Sequence, residues 1–91
     1  MNLGEYMRSV RLSVGGAAAQ AVVDAMRANP ALPVGEAPRL GHTDLLAIEN
    51  GRRPAGARVL VHWTAAMRRL GADVDEGWLM RAVERESASP P

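Results

Sequence analysis

The chain has 91 residues, 47% of them hydrophobic, and sets 11 basic against 10 acidic residues for a formal net charge of +1. A chain this short closes around one modest core, which excludes a second domain. It has no cysteine, so disulfides and thiolate metal sites are excluded as well, in keeping with a reducing compartment.

Apolar residues recur at helical rather than alternating spacing, so the expected class is all-α. Leu3, Met7, Val10 and Val14 share one face of a first helix that Gly15-Gly16 should stop. A second helix over about 17–28 presents Ala18, Ala21, Val22, Ala25 and Met26 as its buried stripe. The segment 29–41 holds Pro30, Pro33, Pro38, Gly35 and Gly41, and such a cluster makes a loop. It is read as a packed cover of the bundle, with added contacts through Arg39 as the other reading. The third helix covers about 42–50 and stops at Asn50-Gly51, where glycine suits a left-handed closing residue and Pro54 forbids continuation. A fourth helix over about 57–70 lines up Val59, Trp63, Ala66, Met67 and Leu70 as the hydrophobic floor, and Gly71 ends it. The last helix, about 75–86, opens on acids that favour a helix N-terminus and buries Trp78, Leu79, Ala82 and Val83. The resulting domain is 1–86, followed by a disordered tail at 87–91. No apolar run approaches the roughly 18 residues of a membrane span. Glu5, Arg8 and Arg11 stand where a secretion leader would be apolar, so a cytoplasmic protein without membrane contact is expected.

The small net charge conceals a polarised sequence. Arg52, Arg53, Arg58, Arg68 and Arg69 follow one another with no acid between 52 and 72, whereas 73–86 carries five acids and two arginines. Phosphate backbones respond to such local fields rather than to net charge. Taken alone, the basic stretch reads first as a solvated helical face.

Gly4, Arg8 and Arg11 in the first helix, Gly15 at its end and the run Leu45-Leu46-Ala47-Ile48-Glu49-Asn50-Gly51-Arg52-Arg53-Pro54 together resemble the Cro/phage-repressor (XRE) type of helix-turn-helix protein. The resemblance covers most of 3–79. It implies a five-helix bundle of the lambda-repressor-like kind, with the third helix as the recognition helix. It also implies an internal ion pair between Arg11 and Glu49, whereas the residues alone would more often be two unrelated surface charges. His42, Thr43, Leu46 and Ala47 fall at positions that face the major groove. His42 and Thr43 can donate and accept at base edges, and Leu46 and Ala47 offer apolar contact to a thymine methyl. A first-turn polar role for His42 and a packing role for Leu46 are the alternatives.

Phosphate contacts are expected from Arg39, Asn50, Arg52, Arg53 and Arg58, and from backbone N–H groups near Gly56 and Ala57 at the start of the fourth helix. Asp44 would oppose phosphate unless it caps the helix or pairs locally, for instance with Arg39. Two features depart from the family pattern. Ala17 and Ala18 stand where a small hydroxyl and a phosphate-gripping glutamine open the second helix, and the segment before the recognition helix is longer than the usual turn.

The implied activity is sequence-specific recognition of double-stranded DNA by a homodimer on a palindromic site, as a phage, mobile-element or antitoxin-type regulator located at the nucleoid. The dimer surfaces expected are the last helix, through Trp78 and Met80, and the loop after the recognition helix, with Trp78 alternatively in the core. The competing reading is a helix-turn-helix turned protein-interaction module whose partner would be a toxin or phage factor. His42 and His62 lie on different helices, no metal spacing or nucleophile motif occurs, and neither catalysis nor a cofactor is expected.

Overall fold

A computed structural model describes residues 2–14, 18–28 and 39–88. Within them the chain forms five helices and no strand: α1 (Leu3–Ser13), α2 (Ala19–Arg27), α3 (His42–Glu49), α4 (Ala57–Arg69) and α5 (Glu76–Ala88). The radius of gyration is 12.2 Å, close to the ~12 Å expected of a folded chain this long. The expected all-α five-helix architecture is what the chain adopts.

Helix boundaries follow local chemistry. The side chain of Asn2 accepts from the Glu5 N–H at 2.9 Å and so caps α1. Asp75 does the same for α5, its carboxylate accepting from the Trp78 N–H at 3.0 Å. At the end of α3, Gly51 sits at φ +74°. Its N–H reaches the Ile48 carbonyl at 3.1 Å, while the Arg52 N–H reaches that of Ala47 at 2.9 Å. Gly71, at φ +96°, closes α4 by the same pair of bonds. Both stops need a left-handed residue, a conformation that costs glycine little.

The core is centred on Trp63, with Met7, Val22, Met26, Leu45 and Met67 fully buried around it. α4 packs most extensively on α2, while α3 lies against both α1 and α2. Several helices are turned relative to the expected stripes. In α2 the buried residues are Ala19, Val22, Val23 and Met26, and Ala18 and Ala21 are exposed. In α4, Leu60, His62 and Thr64 join Trp63, Ala66 and Met67 in the interior, whereas Val59 is half-buried and Leu70 is exposed. An alanine-rich or mixed helix offers several stripes of similar apolarity, and neighbouring helices choose between them.

α5 is held to α1 by aromatic contact. The rings of Tyr6 and Trp78 stack at 4.3 Å between centroids, the Tyr6 Oη accepts from the Asp75 N–H at 2.9 Å, and Arg85 lies 5.9 Å over the indole. Trp78 is therefore half-buried within its own chain, between the two places expected for it, and Met80 is exposed. α5 also runs to Ala88, so Ser87 and Ala88 belong to the helix rather than to a tail. The rest of that tail, Gly15-Gly16, and 29–38 of the expected loop lie outside the described residues. Leu40, at the loop's end, is buried, and Arg27 donates to its carbonyl at 3.0 Å.

Candidate nucleic-acid interface

The helix expected to read DNA is anchored on one side only. Leu45, Ile48 and Glu49 are buried, and at 100° per residue they span one face of α3. His42, Thr43, Leu46 and Asn50 are exposed, Ala47 is half-exposed, and these five share one continuous arc of the helix outside its buried face. The structure thus brings all four expected base-reading residues onto one surface. Leu46, 37% exposed, lies near its middle, and the Thr43 hydroxyl stands 3.5 Å from the His42 ring, at the outer limit of a hydrogen bond.

Two close contacts fix this helix against α1. Arg11 donates from Nε to one Glu49 carboxylate oxygen and from a terminal nitrogen to the other, both at 2.8 Å, with side chains 9% and 1% exposed. The two parallel bonds set direction as well as distance. The hydrogen bond and charge of Glu49 raise the affinity of the guanidinium for its proton above the ordinary value, with burial opposing. The second contact is Gly4. A β-carbon there would lie 2.6 Å from the Ile48 carbonyl oxygen and nearer still to that of Glu49. The first turn of α1 therefore rests directly on the last turn of α3, an approach open only to glycine. The ion pair expected from the resemblance is present, and Gly4 gains a steric reason that composition and periodicity could not supply.

The basic residues gather unevenly around this anchor. Arg52 and Arg53 border a cavity of about 400 Å³ together with Asn2, Gly4 and Pro54. Arg58 is exposed on the first turn of α4, where Gly56 caps the helix through its backbone and leaves the N-terminus open. Arg39 is exposed at the approach to α3. Asp44 pairs with Arg53 at 2.8 Å rather than with Arg39. Its carboxylate also accepts from the Gly41 N–H at 2.9 Å, half of a capping box, since Gly41 brings no side chain to the other half. The Asp44–Arg53 pair is about half-exposed, so it holds Arg53 only weakly against a competing phosphate.

The start of α2 corrects another expectation. The helix begins at Ala19 with Ala18 as its cap, so Gln20, exposed and bonded to Asp24 at 2.8 Å, occupies its first turn. Ala17 lies outside the described residues. The helix thus starts about two residues later than expected.

Among the described residues no group of three histidine and acidic side chains is positioned to hold a metal, and no helix is long and apolar enough to cross a membrane. His62 is fully buried, and neither ring nitrogen has a hydrogen-bond partner among the described residues. No family model, curated protein or solved structure matches the chain.

Proposed function

We propose that the chain is a sequence-specific double-stranded DNA-binding regulator of the Cro/phage-repressor kind, acting as a dimer, with α3 as its recognition helix. The observation that carries this reading is the one-sided anchoring of α3. A helix pinned through Leu45, Ile48 and Glu49 presents His42, Thr43, Leu46, Ala47 and Asn50 on one rigid outer face, with Arg52 and Arg53 immediately beyond. Such a helix can enter a major groove while the arginines meet the flanking phosphates. Arg39, Arg58, the open N-terminus of α4 and, from α2, Gln20 supply further phosphate contacts. The apolar centre of the reading face favours sites with a thymine methyl opposite Leu46. A regulator of this kind acts at the nucleoid as a repressor of phage, mobile-element or antitoxin type, with neither catalysis nor a cofactor.

Selection of bound DNA from a random pool, followed by fluorescence anisotropy on the selected site, tests this. If Arg39, Arg52, Arg53 and Arg58 each neutralise one phosphate, log affinity should fall with log salt at a slope of about −3.6 per monomer, at about −0.9 per contact. Arg52→Glu/Arg53→Glu should abolish binding. Failure to enrich any sequence, or a slope near zero, overturns the reading. The exposed Leu46 at the centre of the face favours one second reading, in which α3 docks on a partner protein. No DNA enrichment together with a stoichiometric partner released by Leu46→Glu would select it.

A further inference from the structure

The turn after α3 folds back beside the first turn of α1, and the two enclose a cleft of about 400 Å³. That size falls within the range of about 300–1,000 Å³ typical of pockets for small molecules. Leu3 and Ile48 are buried at its floor, while Pro54 and the half-buried Ala55 form a side wall. Gly51 stands at its edge, where a β-carbon would meet nothing within 4 Å, so the mouth is open. The polar side chains on the cleft are those of Asn2, Arg52 and Arg53, and no acid lines it among the described residues. Arg52 has no ion-pair partner among the described residues. Arg53 has only its half-exposed pair with Asp44. The Asn2 side-chain oxygen accepts from the Glu5 N–H, which leaves the amide nitrogen as a donor.

We infer that this cleft binds a small organic phosphate, an apolar body carrying a dianionic head, and that the bound ligand competes with DNA for Arg52 and Arg53. Guanidinium forks meet phosphate oxygens in pairs. A phosphate monoester carries a charge of about −1.5 to −2 at neutral pH, enough to answer both arginines at once. The buried surface of Leu3 and Ile48 is matched only by a ligand that brings an apolar body, which a phosphate of the DNA backbone lacks. The walls are also fixed in advance. Pro54 restricts the turn, and Gly4 seats α1 directly on the Ile48 carbonyl, so binding loses little to ordering of the site. Ligand binding stands on the cleft alone, whereas the competition rests on the proposed reading of DNA.

Phenyl phosphate is the probe, with inorganic phosphate as its head alone and phenol as its body alone. Titrated into the full ¹⁵N-labelled chain at about pH 7.5, where the monoester is mostly dianionic, it should give saturable NMR shifts centred on residues 2–4 and 51–55. The expected dissociation constant is about 0.1–1 mM, with either fragment weaker by about tenfold or more. Arg52→Gln should weaken phenyl phosphate by about tenfold. Ala55→Leu should fill the cleft and remove binding with both arginines in place, and Arg58→Gln, outside the cleft, should bind as the wild type does. Thermal melts check that each variant is folded; should Ala55→Leu unfold, Arg52→Gln decides.

On the selected DNA site, phenyl phosphate at about ten times its dissociation constant should weaken DNA binding by about tenfold, relative to inorganic phosphate at matched ionic strength. Folded Ala55→Leu should bind DNA and ignore the ligand. Absence of saturable shifts below about 10 mM overturns the inference. So does inorganic phosphate that binds as tightly as phenyl phosphate, which reduces the cleft to a pair of surface arginines. Ligand binding that leaves DNA affinity unchanged overturns the competition. If no DNA sequence is enriched, the proposed function fails, and the titration still decides the cleft.

Discussion

Replacing Gly4 by alanine is the most direct probe of how α1 supports the recognition helix. The added carbon would lie 2.6 Å from the Ile48 carbonyl oxygen and closer to that of Glu49. Ordinary carbon–oxygen contacts begin near 3.3 Å, so the helices must separate by about 0.7 Å or more at this point. Both obstacles are backbone atoms and cannot rotate away. Overpacking of this kind costs about 1–3 kcal/mol. The same separation stretches the two 2.8 Å bonds between Arg11 and Glu49, and weakening hydrogen bonds between charged groups adds about 1.5 kcal/mol. Alanine returns about 1 kcal/mol through its better helix propensity. The expected net loss is about 1.5–3.5 kcal/mol, which lowers the melting temperature by about 6–28 °C in a domain of this size. Urea denaturation followed by circular dichroism measures it, with an unchanged slope as the sign that only stability moved. Gly77→Ala is the matched control. There the new carbon meets only the ends of Arg81 and Asp75, at 3.4 Å, so the same chemical change should stabilise by about 1 kcal/mol. If Gly4→Ala lies within about 0.5 kcal/mol of the wild type, or changes stability in the same direction as Gly77→Ala, the close seating of α1 on α3 is refuted.

Glu49→Gln should cost about 3 kcal/mol or more in the same melts, because Arg11 is left as a buried charge without its carboxylate; a loss below about 1 kcal/mol would make the pair a mere surface contact. The Arg11 side of this pair carries no pH dependence in the neutral range. A raised folded-state value means its contribution is complete below the ordinary arginine value and is lost only as pH climbs through the folded one, so alkaline melts to about pH 10 should be insensitive to Arg11→Met beyond a constant offset. His62→Leu should leave the melting temperature unchanged or raise it, since it removes two buried nitrogens that have no partner among the described residues at a gain of about 1 kcal/mol. A fall instead would mean that the imidazole is engaged in the folded state. Asn2→Ala should cost about 1 kcal/mol through loss of the α1 cap, read as a small drop in the urea midpoint.

Local signals in the sequence settled the ends of α3 and α4. Asn50-Gly51 and Gly71 stop α3 and α4 at their expected positions because only the left-handed conformation closes those carbonyls, and that requirement is written in a single residue. The all-α class likewise follows from spacing alone. The buried stripes of α2 and α4 do not, since Ala18, Ala19, Ala21, Val22 and Val23 offer several faces of nearly equal apolarity. The contact between α2 and α4 selects one of them, and this choice drew His62 into the interior. Asp44 shows the same dependence in the site. Its need for a basic partner is a matter of charge, but Arg53 rather than Arg39 reaches it because the Gly51 turn folds the chain back beside α3.

By itself, the sequence determined the helix count, the glycines that stop α3 and α4 and the concentration of arginines after α3, because these depend on spacing and composition within one segment. The tertiary structure decided which face of each helix is inside, why residue 4 must lack a side chain, and that Met80 rather than Trp78 stands open beside α4. Those outcomes depend on distances between segments far apart in the chain, such as the approach of Gly4 to Ile48 and Glu49, and no local pattern encodes them.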